Sequence, residues 1–171
     1  MKRWMAPLVV GLAFIAVSAA LASTYSGYKW QNPKRITVID TTYNAKWTEA
    51  LNAAVADWNV SPYVEFTVTR GIQCNDRYKV CVHEFNAENG IYYAHAVIWP
   101  RRGRIWYASV ELNDWFVDFT KDASIFQRTM CHELGHVLGL SPSADPDSCM
   151  SASVPHPSAA DFAELAEIYG R

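Results

Sequence analysis

Long apolar runs are missing after residue 22, and with them any further segment able to cross a bilayer. Charge of one sign is missing too. Fifteen basic residues against 17 acidic ones give a formal net charge of −2, so no broad cationic field points to nucleic acid. Eight glycines and eight prolines in 171 residues exclude a collagen-like repeat. Four cysteines are too few for a disulfide knot that stands in for a core. After residue 22 the chain has no internal repeat and no low-complexity linker. What it does have is apolar content of 50%, with seven Trp and nine Tyr, which excludes a disordered tail and leaves room for one well-packed domain.

The N-terminus stands apart from that domain. Lys2 and Arg3 precede a nearly continuous apolar stretch from Ala6 to Ala22, closed by the small-x-small site Ala20-Leu21-Ala22. This is the pattern of a secretory signal, so residues 1–22 are assigned to export and residues 23–171 to the mature domain. The alternative is an uncleaved anchor, for which the stretch is only marginally long. Cleavage removes Lys2 and Arg3 but no acid, leaving 13 basic and 17 acidic residues and a net charge of −4. The mature protein is expected to be soluble, extracellular and monomeric. Export also places the four cysteines in an oxidising compartment. They allow three pairings, and only the closeness of Cys74 to Cys81 across a turn distinguishes any of them.

Residues 23–33 are polar and aromatic and lead into the domain. The β-branched run Ile36–Ile39 reads as a strand. From residue 45 to 59 the period is helical: Trp47, Leu51, Val55 and Trp58 share one face, Asn44 is the candidate N-cap, and Ser61-Pro62 stops the helix. Strands are expected at 64–69, 79–85, 92–99 and 105–112, the last two joined by the turn Pro100-Arg101-Arg102-Gly103-Arg104, a solvated tip. A helix capped by Asp122 or Ser124 runs to Gly139, and a last helix runs from Ser158 to Tyr169 with Phe162, Leu165, Ala166 and Tyr169 on one face. Strands grouped between helices indicate an α+β fold with a mixed sheet and helices packed on it.

The chemistry lies in His132-Glu133-Leu134-Gly135-His136. Residues i and i+4 of a helix share a face one turn apart, so both imidazoles can reach one zinc ion at ~2.0–2.1 Å. Glu133, beside them, can serve as general base toward a water that the metal activates. Gly135 in mid-helix costs ~1 kcal/mol relative to Ala, which asks for a close-packing reason. His83 and His95, in separate expected strands, read as structural histidines without a further ligand beside them.

The segment His132 to Leu140, with Asp145-Pro146-Asp147-Ser148-Cys149-Met150 after it and Val110-Glu111-Leu112-Asn113 before it, resembles the metzincin zinc endopeptidases, in their matrixin-like branch. The likeness is sharp over residues 105–170 and general over 34–104. It implies a mixed twisted sheet carrying an N-terminal helix and an active-site helix, with a C-terminal helix after a Met-turn. It also implies a secreted hydrolase with Zn2+ as cofactor, which cuts peptide or protein substrates and binds no nucleic acid. His132 and His136 would be the ligands, Glu133 the base, and Met150 the residue packed under the metal. Cys131 precedes His132 and Cys149 precedes Met150, so with the resemblance the expected bridges are Cys131–Cys149 and Cys74–Cys81. The first would close about 18 residues, worth ~3 kcal/mol.

The resemblance also implies an extended substrate held on the strand at 105–112 and a pocket wall from Ser151 to Pro155. The tyrosine that follows the Met-turn in some metzincins is replaced by Ala152, and residues 23–33 hold no Cys for a cysteine-switch propeptide. The main departure is Pro142, which stands where the pattern places the third ligand and has no donor atom for zinc. Asp145 is the nearest replacement, with Asp147 and His156 behind it. The other reading of Pro142 is an inactive metzincin-fold pseudoprotease that serves as a binding module.

N-terminal sequencing of the exported protein is expected to start at Ser23; a chain that still begins at Met1 would instead mean an uncleaved anchor.

Overall fold

Alternating β-branched residues and two aromatic-rich helical stretches sort this chain into a sheet covered by helices. The computed structural model describes residues 26–74, 78–87 and 92–170; the expected export signal at 1–22 lies outside them. The strands are β1 (Lys29–Trp30), β2 (Ile36–Asp40), β3 (Phe66–Arg70), β4 (Lys79–Phe85), β5 (Ala94–Arg101) and β6 (Arg104–Asn113). The helices are α1 (Ala45–Trp58), α2 (Ser124–Val137) and α3 (Ala159–Tyr169), with single 3-10 turns at Asp114–Phe116 and Cys149–Ser151. No helix among the described residues is long and apolar enough to cross a membrane. The fold is α+β, as expected.

The sheet runs β3-β2-β4-β6-β5, with β1 on the first two residues of β6. Every pair is parallel except β5–β6. Register aligns Val38, Val80 and Ala108, and beside them Val82 and Val110, into one apolar face. All five are fully buried. Helix α1 begins where the Asn44 side chain accepts the Lys46 amide, and it buries Trp47, Ala50, Leu51, Ala54, Val55 and Trp58. Trp47 meets Phe126 of α2 edge to face, with ring centroids 4.8 Å apart. Trp58 Nε1 donates to the Cys131 carbonyl at 3.0 Å, which fixes the height of α2 against α1.

Three details differ from the sequence reading. The outer strand is β5, not the segment 105–112. β6 is paired by β1, β4 and β5, whereas β5 pairs with β6 alone among the described residues. The physical signs agree: Ala108, Val110 and Leu112 of β6 are fully buried, while β5 is mostly half-buried and carries Pro100, which only an edge tolerates easily. Second, neither Asp122 nor Ser124 occupies the N-cap of α2. Ala123 does, without a side-chain bond, and Asp122 Oδ1 accepts the Ser124 amide from one residue earlier. Third, β1 was not anticipated, because two residues carry no periodicity.

The end of α2 is closed by contacts from distant segments. Gly139 takes φ +95°, the left-handed turn, and the Leu140 amide returns to the Gly135 carbonyl at 3.0 Å while that of Gly139 returns to His136 at 2.9 Å. The remaining carbonyls accept from Trp30 Nε1 (to Val137), the Tyr169 hydroxyl (to Leu138) and the Ser26 amide (to Gly139). At the β5–β6 hairpin, Arg102 (φ 53°) and Gly103 (φ 74°) form a two-residue turn of the kind that suits a twisted hairpin. Arg102 pays about 1 kcal/mol for a left-handed backbone.

Helix α3 starts at a capping box. Ser158 Oγ accepts the Asp161 amide, and Asp161 Oδ2 accepts the Ser158 amide at 2.8 Å. Asp161 Oδ2 also accepts the Ser148 hydroxyl at 2.6 Å, which ties α3 to the segment that carries Met150. Ser158→Ala is expected to cost about 1 kcal/mol. Asp161→Ala should cost more, roughly 2–4 kcal/mol, because it strands two buried donors. Urea unfolding of both variants checks the order; equal losses would remove Asp161 from its role in holding the turn.

Candidate metal centre on helix α2

His132, Glu133 and His136 sit in the second half of α2, over the apolar face of the sheet. His132 Nδ1 lies 2.9 Å from the Cys149 carbonyl, and His136 Nδ1 lies 2.9 Å from the Leu140 carbonyl. A carbonyl only accepts, so each Nδ1 carries the ring proton. The lone pair of each ring is then left on Nε2. The two Nε2 atoms face one another at 3.0 Å, with the rings nearly perpendicular. Burial lowers the pKa of both imidazoles, His132 and His136 alike, which disfavours an imidazolium that could donate across this gap. Two aimed lone pairs with no proton between them suit a shared cation. Ligands each ~2.0–2.1 Å from zinc stand only slightly farther apart than this.

Both accepting carbonyls are delivered by local structure. The left-handed Gly139 reverses the chain so that Leu140 O faces back to its own helix. Cys149 O is brought in by the bridge Cys131–Cys149, whose Cα atoms are 6.0 Å apart, and by the turn that Ser148 Oγ caps at the Met150 amide. The other expected bridge, Cys74–Cys81, is also formed, and no described cysteine is free.

Glu133 is 6% exposed. Desolvation pushes its carboxyl up to about 7, against the opposing effect of the Ala96 amide, which donates to it from β5. The group therefore stands between helix α2 and strand β5, with an affinity for protons suited to exchange near neutrality.

Met150 is fully buried under this helix. A Cβ on Gly135 would stand 2.1 Å from Met150 Sδ and 3.0 Å from the Trp58 ring, so the mid-helix glycine lets the methionine approach. Gly135→Ala is expected to lower stability by about 1–2 kcal/mol, overpacking outweighing the ~1 kcal/mol gain in helix propensity. Made in a Met150→Ala background, the same substitution should be neutral or stabilising. A double-mutant cycle by thermal unfolding measures the difference, and purely additive effects would rule out the contact.

The other candidates lie elsewhere. Among the described residues no set of three His, Cys, Asp or Glu side chains is placed to hold a metal. Pro142 is exposed. Asp145 closes its own turn, its Oδ1 accepting the Asp147 amide at 3.1 Å. His156 Nδ1 pairs with Asp57 at 2.8 Å. His83 and His95 flank Glu111 in register across β4, β6 and β5, at 3.9 and 3.3 Å from its carboxylate. Sequence reasoning missed Ser148, Asp161 and the Ala96 amide. Ser158-x-x-Asp161 was a readable capping pattern, but backbone donors leave no trace in a sequence.

No curated protein matches the chain. The sequence model of the matrixins, peptidase family M10, matches residues 29–170, which takes in every strand and helix of the described residues and both histidines of the pair. The chain belongs to the matrixin family of metallopeptidases.

Proposed function

We propose that the protein is a secreted, monomeric zinc endopeptidase in which Glu133 is the general base. The observation that carries this reading is the pair of Nε2 lone pairs converging at 3.0 Å, each held by a carbonyl at its Nδ1, beside a buried carboxyl. His132 and His136 would hold the metal. When bound, zinc makes a water more acidic and polarises the scissile carbonyl.

The residues of the chain supply the rest. A substrate strand adds to the outer edge of β5, which pairs with β6 alone among the described residues, and backbone groups bind it extended. That places the peptide beside Glu133, which takes the proton of the attacking water and returns it to the departing amine. Its raised pKa serves both transfers. The segment Ser151–Pro155 after the Met-turn forms the pocket wall. Peptide or protein is the partner, nucleic acid is not, and the signal at 1–22 directs export.

Asp145 remains the nearest carboxylate in sequence for a third ligand, and it would have to leave its turn with Asp147 to serve. Pro142 and the lack of a third donor at the pair among the described residues favour a second reading, in which the fold is kept for binding and catalysis is lost.

Zinc content of the purified exported protein and cleavage of an unstructured protein substrate separate the two. The enzyme reading expects about one zinc per chain and cleavage that falls roughly 100-fold or more in Glu133→Gln, with zinc retained. Metal-free, inert and fully folded protein would overturn the enzyme reading and support the binding module.

A further inference from the structure

Away from the histidines, the turn of the β5–β6 hairpin and the residues around β1 enclose a cleft of about 730 Å³. Its rim carries four guanidinium groups, Arg35, Arg101, Arg102 and Arg104, and no carboxylate lines it among the described residues. None of the four is ion-paired among the described residues. This concentration of charge stands against a mature chain of net −4.

Two features of the hairpin work against stability without a ligand. Arg101 and Arg104 are direct cross-strand partners, a like-charge pair that destabilises a bare sheet. Arg102 occupies the first left-handed position of the turn, where Asn, Asp or Gly would fit without strain. A sequence selected for folding alone would relieve both, and local rules broken together in one place mark a site. The lining is also more than charge. Tyr78 is an exposed ring packed on half-buried Trp106, their centroids 6.1 Å apart, and the Arg101 guanidinium lies over the Trp106 ring at 5.5 Å, held in place by it. Gln31 and Asn32 add amide donors and acceptors.

We propose that this cleft binds a sulfated polysaccharide. Guanidinium forks take sulfate or carboxylate oxygens in pairs, the exposed Tyr78 ring takes the apolar face of a sugar, and the amides take hydroxyls. The site shares no residue with the histidine pair and does not depend on catalysis.

The test is titration of the exported protein with a heparin oligosaccharide by calorimetry at low salt, with single-stranded DNA and a desulfated oligosaccharide as comparisons. The expected result is saturable binding that weakens as salt rises and is lost with the desulfated chain. Arg101→Ala combined with Arg104→Ala should lower affinity about tenfold or more, since both guanidiniums contact the anion. Lys121→Ala combined with Arg128→Ala, which removes equal charge elsewhere, should leave it within about twofold. Circular dichroism confirms that each variant is folded. Absent binding, equal loss in both double variants, or tighter binding of DNA than of the saccharide would overturn the proposal.

Discussion

Two carbonyl oxygens decide what the histidines of helix α2 can do. By accepting the Nδ1 protons of His132 and His136, Cys149 O and Leu140 O determine which nitrogen of each ring is free and where it points. Without them, each imidazole would be free to turn its other nitrogen inward, and the lone pairs would not meet. Much of the surrounding structure holds those two oxygens in place. Gly139 turns the chain so that Leu140 faces back, while the Cys131–Cys149 bridge, Ser148 and Asp161 hold the turn that offers Cys149.

The same helix is braced from both ends and from below. Trp58 bonds its Cys131 carbonyl, Trp30 and Tyr169 close its last carbonyls, and Met150 fills the space that Gly135 leaves open. This bracing has a functional side. Among the described residues no third donor of a metal-binding type stands with the two imidazoles, so holding their orientation needs preorganisation by the surrounding structure. The disulfide beside His132 bears directly on that need, because it limits how far the turn can drift from the helix in both folded and unfolded chains.

Much of this was legible in the residues. The face Trp47, Leu51, Val55, Trp58 and the cap Asn44 were readable because helices write a local period. The left-handed stop at Gly139 and the turn at Arg102-Gly103 were readable because the chemistry of turns is local. The outer strand was not. Two neighbouring strands of similar composition differ only in how many partners each finds, and β6 finds three. Asp145 shows the same limit from the other side: nearness in sequence to the histidines did not bring it to them, since its own turn holds it.

The sequence by itself determined the donors and their spacing: two imidazoles one helical turn apart, a carboxylate next to the first, a glycine to end the helix, and a proline where a further donor would stand. These are properties of neighbours along the chain, and a helix translates them directly into geometry. Only the tertiary structure decided which ring nitrogens are free, which described strand lies outermost beside β6, and that four arginines from two distant segments share one cleft. Those outcomes depend on contacts such as Trp30 with Val137, 107 residues apart. Contacts of that reach form only when the whole core closes, because the burial of apolar surface that drives closure has no direction of its own.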